Sequence, residues 1–327
     1  MNYPSTFKSL NAGGSKAEPK PHKPCLLLAA IDMIAAGEAA SEATSEATRE
    51  AGGDADAGGG RIAWSQRLRE RFRGYFDIVR SEARRDRPNP ELPFYHLGSD
   101  GFWRPRGASG EQLHKPPRRS DEGAYAEIDA GLLDAIRDEA ARQELRAALI
   151  QTYFPSKTDE VWAHVKLMDE SGRLTKRLLE LPGVDDDGAQ QIREEAAAYG
   201  QDVRTAAFRD AVVPAYDFAC AACGLRLMTD DSWLAQACHL IPWSVAHDDD
   251  PRNGIALCPN HHWAMDRDLI APGPDRVWHV SAELDERREG DRRLLELKDA
   301  KILGPASGWE RFAPREDALA WRVGRLG

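Results

Sequence analysis

The feature that most constrains this chain is a run of cysteines and histidines in its second half. Cys220 and Cys223 form a CxxC, and Cys258 and His261 repeat the two-residue gap downstream. A CxxC turn lets two thiolates reach one ion, and four such donors complete the tetrahedral shell that zinc prefers. The spacing therefore predicts a structural zinc site of three cysteines and one histidine.

Three further residues in this stretch are not needed for the zinc: His239, Asn253 and His262. A neutral imidazole, with an ordinary pKa of about 6.5, can accept a proton from water near neutrality. The small hairpin-plus-helix unit that carries the four predicted zinc ligands buries too little surface to be stable alone, so binding of the metal would supply folding free energy. We therefore expect one set of residues to build the site and the other set to perform chemistry on it.

Length and composition limit the classes of protein to consider. A chain of 327 residues predicts two domains. It contains no run of about 18 apolar residues and no secretory signal pattern, so neither a membrane span nor export is expected. Five cysteines, an odd number and mostly at metal spacing, are typical of a reducing cytoplasm rather than of a disulfide framework.

The charge of the chain is unevenly distributed. The net charge of -10 argues against a uniformly basic nucleic-acid binder, but local patches govern binding. Residues 61–87 hold nine arginines against four acidic residues, and residues 104–119 hold five basic residues against one acidic residue. Acidic residues collect in 38–56, 185–187 and 248–250. The basic face is therefore expected in the N-terminal half, where a solvated arginine-rich helix face is the alternative.

Periodicity and turn residues predict the elements. Residues 38–60 are low in complexity and are expected to form a disordered insertion. A hairpin is expected from 92–97 and 101–104 around the turn at 98–101. Helices are predicted at 23–36, 65–80, 132–154, 158–181, 192–199 and 203–213, and strands at 125–128, 276–280 and 292–297.

The motifs of the second half, taken together, resemble those of a known nuclease family. The stretches Cys220-Ala-Ala-Cys223-Gly, Ala237-Cys-His239-Leu-Ile-Pro-Trp243 and Asn253-Gly-Ile-Ala-Leu-Cys258-Pro-Asn-His-His262 are similar to zinc-ribbon-bearing HNH, or ββα-metal, nucleases over 204–278. The resemblance implies that His239 is the general base, Asn253 the middle letter of the motif and His262 a ligand of the catalytic metal. That metal would be Mg²⁺, Mn²⁺ or Ni²⁺, although imidazole suits Mg²⁺ least.

The sequence departs from the family just before the general base, where many relatives carry an acidic metal ligand. Cys238 stands there, and it could ligate a soft metal or could be a packing residue. Asp266 is a second candidate ligand, with bracing of the following helix as the alternative. Asn253 could hold the His239 ring or fix the loop against the metal; a plain loop cap before Gly254 is the alternative.

The N-terminal half has a looser resemblance of its own. The stretches at 22–32, 93–103 and 149–155 are similar to the sulfur-binding domain that precedes HNH units in McrA-type, modification-dependent (type IV) restriction enzymes. Those enzymes recognise phosphorothioate DNA, whose sulfur is less hydrated than oxygen and is less costly to bury in a shallow apolar pocket. Tyr153, Phe154, Pro155 and Ser156 approximately match the loop that forms this pocket.

Each of these assignments has an alternative. Tyr153 and Phe154 could simply end a core helix. Arg104 and Arg106, near the expected hairpin, would contact bases or phosphates, with surface ion pairs as the alternative. Contacts through several arginines should weaken steeply with salt.

Together these observations predict an α+β protein. A mainly helical DNA-recognition domain with a small hairpin or sheet (1–180) is followed by a linker and connecting helix (181–203) and a zinc-bound ββα-metal nuclease domain (204–327). The expected function is an endonuclease that binds phosphorothioated double-stranded DNA and hydrolyses phosphodiester bonds nearby. The alternatives are an HNH nuclease directed by another modification or by plain sequence, and an inactive zinc-stabilised DNA-binding protein. Double-strand cleavage needs two active sites or two events, which is compatible with a homodimer.

Overall fold

The computed structural model describes residues 1–15, 19–38, 60–80, 86–118, 120–121, 123–229 and 232–327. Residues 39–59, which make up nearly all of the predicted disordered insertion, lie outside the described residues. The chain divides into two compact units. The first unit is Met1–Asp169 with Asp230–Ser232, and the second unit is Glu170–Thr229 with Trp233–Gly327.

The first unit is mainly helical, as the sequence predicts. Its central helix is α2 (His22–Ala35), which is buried from Lys23 to Ile34 and packs against α3 (Gln66–Val79). Pro24 lies in the first turn of α2, where a missing N–H costs nothing. The helices of this unit are α1 (Tyr3–Lys8), α2 (His22–Ala35), α3 (Gln66–Val79), α4 (Glu91–His96), α5 (Ala130–Arg137), α6 (Glu139–Tyr153) and α7 (Thr158–Glu180), which continues into the second unit.

A three-stranded antiparallel sheet completes the first unit, with β1 (Arg61–Ala63), β2 (Trp103–Arg106) and β3 (Tyr125–Ile128) in the order β1-β3-β2. The hairpin predicted from 92–97 and 101–104 is wrong. Residues 91–96 form α4 and a 3-10 turn follows, so β2 pairs with β3 instead. Two buried side chains three residues apart, Phe94 and Leu97, fit the helical period, which the alternation-based prediction overlooked.

The second unit is built around a ββα element: β4 (Gln236–His239) pairs antiparallel with β5 (Gly254–Leu257), and helix α11 (Pro259–Asp266) follows directly. A further antiparallel pair, β6 (Ile270–Pro272) with β7 (Trp278–Val280), packs on the same core. The helices of this unit are α8 (Asp186–Ala197), α9 (Gln201–Ala215), α10 (Trp243–Ala246), α11 (Pro259–Asp266), α12 (Glu289–Leu295) and α13 (Glu316–Val323).

Several predicted boundaries change in the structure. The single helix expected over 132–154 is two helices, because Asp138 leaves helical geometry (ψ 126) and caps α6 by accepting a hydrogen bond from the Ala141 N–H. The strand expected over 292–297 is wrong, since α12 occupies that segment. The division between the units falls at Asp169, inside the continuous helix α7, and not at the Leu181-Pro-Gly break. No helix in the described part of the chain is long and apolar enough to cross a membrane.

Candidate active site and metal centre

The four predicted zinc ligands come together in the second unit. One ligand atom from each of Cys220, Cys223, Cys258 and His261 lies within 4.8 Å of all the others. The His261 Nδ1 atom is 3.4 Å from the Cys220 Sγ atom and 3.2 Å from the Cys258 Sγ atom. Although Cys223 is exposed at the surface, partial desolvation of its thiol, helped by the neighbouring Cys220, raises the pKa of that thiol to about 12. A cation that stabilises thiolates fits this donor set, so the group could bind a metal such as zinc.

Local backbone geometry places these ligands. The Cys220 N–H donates to the Leu225 carbonyl (3.0 Å), and the Gly224 N–H donates back to the Cys220 carbonyl (2.8 Å). Gly224 has φ +70, a left-handed conformation that glycine adopts without a Cβ penalty. The Ala221 N–H donates to the Ala256 carbonyl on β5, which ties the CxxC turn to the ββα element. Cys258 is the N-cap of α11, so the second ligand pair lies at the strand–helix junction.

His239, at the end of β4, is held on two sides. Its Nε2 atom is 3.0 Å from the Asp249 Oδ1 atom. Its ring stacks on Phe208 of α9, with centroids 3.8 Å apart and an interplanar angle of 5°. About a quarter of the side chain (24%) remains exposed, so the group can still meet a substrate.

Asp249 belongs to an acidic run at 248–250 that the sequence shows only as a concentration of charge. All three aspartates are buried. Buried carboxylates require compensating partners, and here four arginines supply them, three of which come from distant segments. The pairs are Arg193–Asp248, Arg204–Asp249, Arg252–Asp250, Arg315–Asp248 and Arg315–Asp250. Sequence reasoning missed this cluster because its arginines are spread over more than a hundred residues.

Asn253 is fully buried and fixes a loop. Its Oδ1 atom accepts from the Ile241 N–H (2.9 Å), and its Nδ2 group donates to the carbonyls of Ile241 (3.0 Å) and Asp248 (3.1 Å). The Asn253 side chain therefore connects the segment after β4 to the 248–253 loop, and the described structure has no hydrogen bond from it to the His239 ring. The partner that holds the His239 ring is Asp249 instead.

His262 is adjacent to the metal ligand His261 on α11 and has a different environment. Its Nδ1 atom is 2.8 Å from the Gln236 Oε1 atom, and its Nε2 atom is 3.4 Å from the Asp266 Oδ2 atom one helical turn later. Within the described part of the chain, the Cys3His group is the one cluster of three or more His, Cys, Asp or Glu donors. His262 and Asp266 form a pair of neighbouring donors and not a cluster of this kind. A second ion held by them would have two protein ligands, with water or phosphate in its other positions.

Cys238, where the family resemblance leads to the expectation of an acidic ligand, is almost completely buried (1% exposed) in the core of the second unit. Its Sγ atom donates a hydrogen bond to the Gln236 carbonyl at 3.4 Å. Burial, with a contribution from Asp266, raises the pKa of this thiol well above its usual range. The packing role, rather than ligation of a soft metal, fits these surroundings.

The predicted recognition residues lie in the first unit. Arg104 pairs with Asp129 (2.7 Å) and Arg106 with Glu127 (3.2 Å), so both arginines take part in surface ion pairs. Arg104 and Arg106 also line a surface cavity of about 330 Å³, together with Tyr95.

The predicted sulfur-pocket loop follows α6. The Tyr153 hydroxyl accepts a hydrogen bond from the Leu10 N–H at 3.0 Å. Phe154 is buried in the core of the first unit, whereas Pro155 and Ser156 are exposed. Pro155 and Ser156 are therefore the most accessible members of this loop, while Tyr153 is partly buried.

A comparison with known protein families agrees with the geometry of the ββα element. The family described as HNH endonuclease matches residues 220–271. A solved structure titled "Modification dependent TagI restriction endonuclease" is similar at a TM-score of 0.28 and 19% identity, over 36% of this chain. The aligned region spans 37% of that protein, little more than a third of its length. No curated protein matches.

Proposed function

We propose that this chain, a nuclease with an HNH endonuclease domain at 220–271, cuts DNA in response to a modification. The first unit binds phosphorothioated double-stranded DNA, and the second unit hydrolyses a phosphodiester bond nearby. The observation that carries the nuclease assignment is the division of adjacent histidines on α11. His261 joins the closed Cys3His group, while His262 pairs with Asp266 beside it.

The two sets of donors suit two different tasks. Four ligands fill the tetrahedral shell of zinc, so a zinc ion at Cys220, Cys223, Cys258 and His261 has no open position and serves the fold. The pair formed by His262 and Asp266 leaves most positions of a divalent ion such as Mg²⁺, Mn²⁺ or Ni²⁺ open for substrate.

The residues of the chain divide the chemistry between them. His239 takes the proton from the attacking water as general base, because its ring is partly exposed and fixed in orientation. His262 and Asp266 would hold the catalytic ion, which supplies charge stabilisation at the scissile phosphate and the leaving oxygen. Asn253 keeps the loop between β4 and β5 in place, so its contribution is indirect.

Recognition of the modification is assigned to the first unit. Its similarity to sulfur-binding domains and the exposed Pro155 and Ser156 support this assignment. The sulfur would lie against Pro155, because an apolar surface favours it over the better hydrated oxygen. Arg104 and Arg106 beside the cavity would meet phosphates or bases, for which they would exchange their carboxylate partners.

The test is a binding and cleavage assay on paired duplexes of one sequence, one phosphorothioated and one not, with Mg²⁺ and with Mn²⁺. The proposal expects tighter binding and faster cleavage of the sulfur-containing duplex. Equal affinity for the two duplexes would refute the sulfur assignment and favour an HNH nuclease directed by another modification or by sequence. Binding without cleavage under every metal condition would favour the inactive zinc-stabilised DNA binder.

A further inference from the structure

His239 belongs to a row of stacked and ion-paired side chains in the second unit. The Arg204 Nη1 atom is 3.2 Å from the Asp249 Oδ2 atom, while the other carboxylate oxygen faces His239. The Arg204 guanidinium in turn lies over the Trp243 ring, 3.7 Å from its centroid. With Phe208 stacked on the imidazole, His239, Asp249 and Arg204 each have a partner on two sides.

Burial keeps this row in one arrangement. The Asp249 side chain is 3% exposed and that of Arg204 is 10% exposed, so neither can readily exchange its partner for water. The Arg204 guanidinium donates a hydrogen bond to the Asp249 Oδ2 atom. An ionised carboxylate can only accept hydrogen bonds.

Because the Asp249 carboxylate accepts the hydrogen bond, the His239 Nε2 atom must donate it, and Nε2 is therefore the ring nitrogen that carries the proton. We propose that Asp249, fixed by Arg204, is a positioning residue that holds His239 as the Nε2–H tautomer and leaves the Nδ1 lone pair free to act as the base. The inference rests on the proposed function, since it explains how His239 performs its part in hydrolysis. Nδ1 is the reacting atom because Asp249 occupies the other ring nitrogen, Nε2.

The chain offers a matched control for the cost of disturbing a buried carboxylate. Asp248 is the neighbour of Asp249, is similarly buried and also pairs with arginines, at 2.8 Å from Arg315 and 3.5 Å from Arg193. No hydrogen bond or ion pair between Asp248 and His239 is present in the described structure. Asp248→Asn and Asp249→Asn should therefore share the structural cost, and only the latter should affect the imidazole.

The first experiment measures the tautomer directly. Full-length zinc-loaded protein with ¹⁵N-labelled histidine, without a catalytic divalent ion, is studied by two-bond ¹H–¹⁵N correlation NMR, with His239→Gln to assign the signals. Wild type and Asp248→Asn should show His239 protonated at Nε2. Asp249→Asn, whose amide can also donate, should lose that preference. A wild-type Nδ1–H tautomer would overturn the inference even if Asp249→Asn failed to fold.

The second experiment measures cleavage kinetics for the same variants. Asp249→Asn should lower kcat by about 10²- to 10⁴-fold, the contribution of general-base catalysis, with KM changed less than about threefold. Asp248→Asn should keep kcat within about threefold of wild type. Equal kcat values for the two variants would contradict the positioning role. A wild-type protein that cuts no DNA, or a His239→Ala variant that cuts normally, would instead refute the proposed function.

Discussion

Gly254 provides a stringent test of how tightly the active site is packed. A Cβ atom at this position would lie 2.6 Å from the Val212 Cγ2 atom, 2.8 Å from the Phe208 Cζ atom and 2.9 Å from the Pro251 carbonyl oxygen. Contacts below about 3 Å require the neighbours to move, and the Pro251 oxygen belongs to the backbone. Gly254→Ala should therefore strain the ββα element and displace Phe208, the ring on which His239 stacks.

The size of the effect follows from two opposing terms. Overpacking of this kind costs about 1–3 kcal/mol, and three clashes place Gly254→Ala near the upper end. The alanine restricts the unfolded chain, which returns about 0.4–1 kcal/mol. The net loss is about 2 kcal/mol, or roughly 4–8 °C in the Tm of a unit of this size.

The assay compares thermal unfolding and cleavage for Gly254→Ala and Gly304→Ala. Gly304 is the control because a Cβ atom there would meet nothing within 4 Å. Gly254→Ala should lower the unfolding temperature of the second unit and slow cleavage at least about tenfold at temperatures where it is folded, because His239 loses its alignment. A Tm and a cleavage rate equal to those of Gly304→Ala would refute the packing argument.

Three further perturbations have defined outcomes. Cys258→Ser, or chelation of the wild-type protein, should release the bound metal and unfold the second unit, as measured by metal analysis and circular dichroism; unchanged unfolding would show that no ion supports the fold. Arg104→Ala and Arg106→Ala should each weaken DNA binding and reduce the slope of log Kobs against log salt by about 0.9, and an unchanged slope would assign these arginines to ion pairs alone. Burial lowers the pKa of His164 to about 4 in the folded protein, so the unfolded chain binds more protons between about pH 6.5 and 4 and stability falls as the pH drops through that window. His164→Gln should flatten this part of the stability–pH curve of the first unit, and an unchanged curve would place its cause elsewhere.

The parts of the site that the sequence predicted are those with local spacing. Cys220 and Cys223 are three residues apart, and the Cys258–His261 pair repeats that spacing, so one turn or one helix start brings each pair together. The identity of the ββα element likewise follows from the order of its motifs. These relations do not depend on how distant segments pack.

The parts that the sequence did not predict depend on distant partners. Asp249 appears as one of three consecutive aspartates, and its contacts with His239 and Arg204 exist only because α9 packs beside β4. The helix α4 was predicted as a strand because its short apolar run fits both periods. The division inside α7 has no strong sequence signal, since the helix continues through it and Pro182 gives the stronger break.

The most direct test of the central claim compares wild type with His239→Ala on a phosphorothioated duplex, with Mn²⁺ and with EDTA. Binding is measured in parallel on the same duplex. We expect metal-dependent cleavage by the wild type and a loss of at least about 10²-fold in His239→Ala, with DNA affinity and zinc content unchanged. Cleavage by His239→Ala at the wild-type rate would contradict the assignment of His239 as the general base.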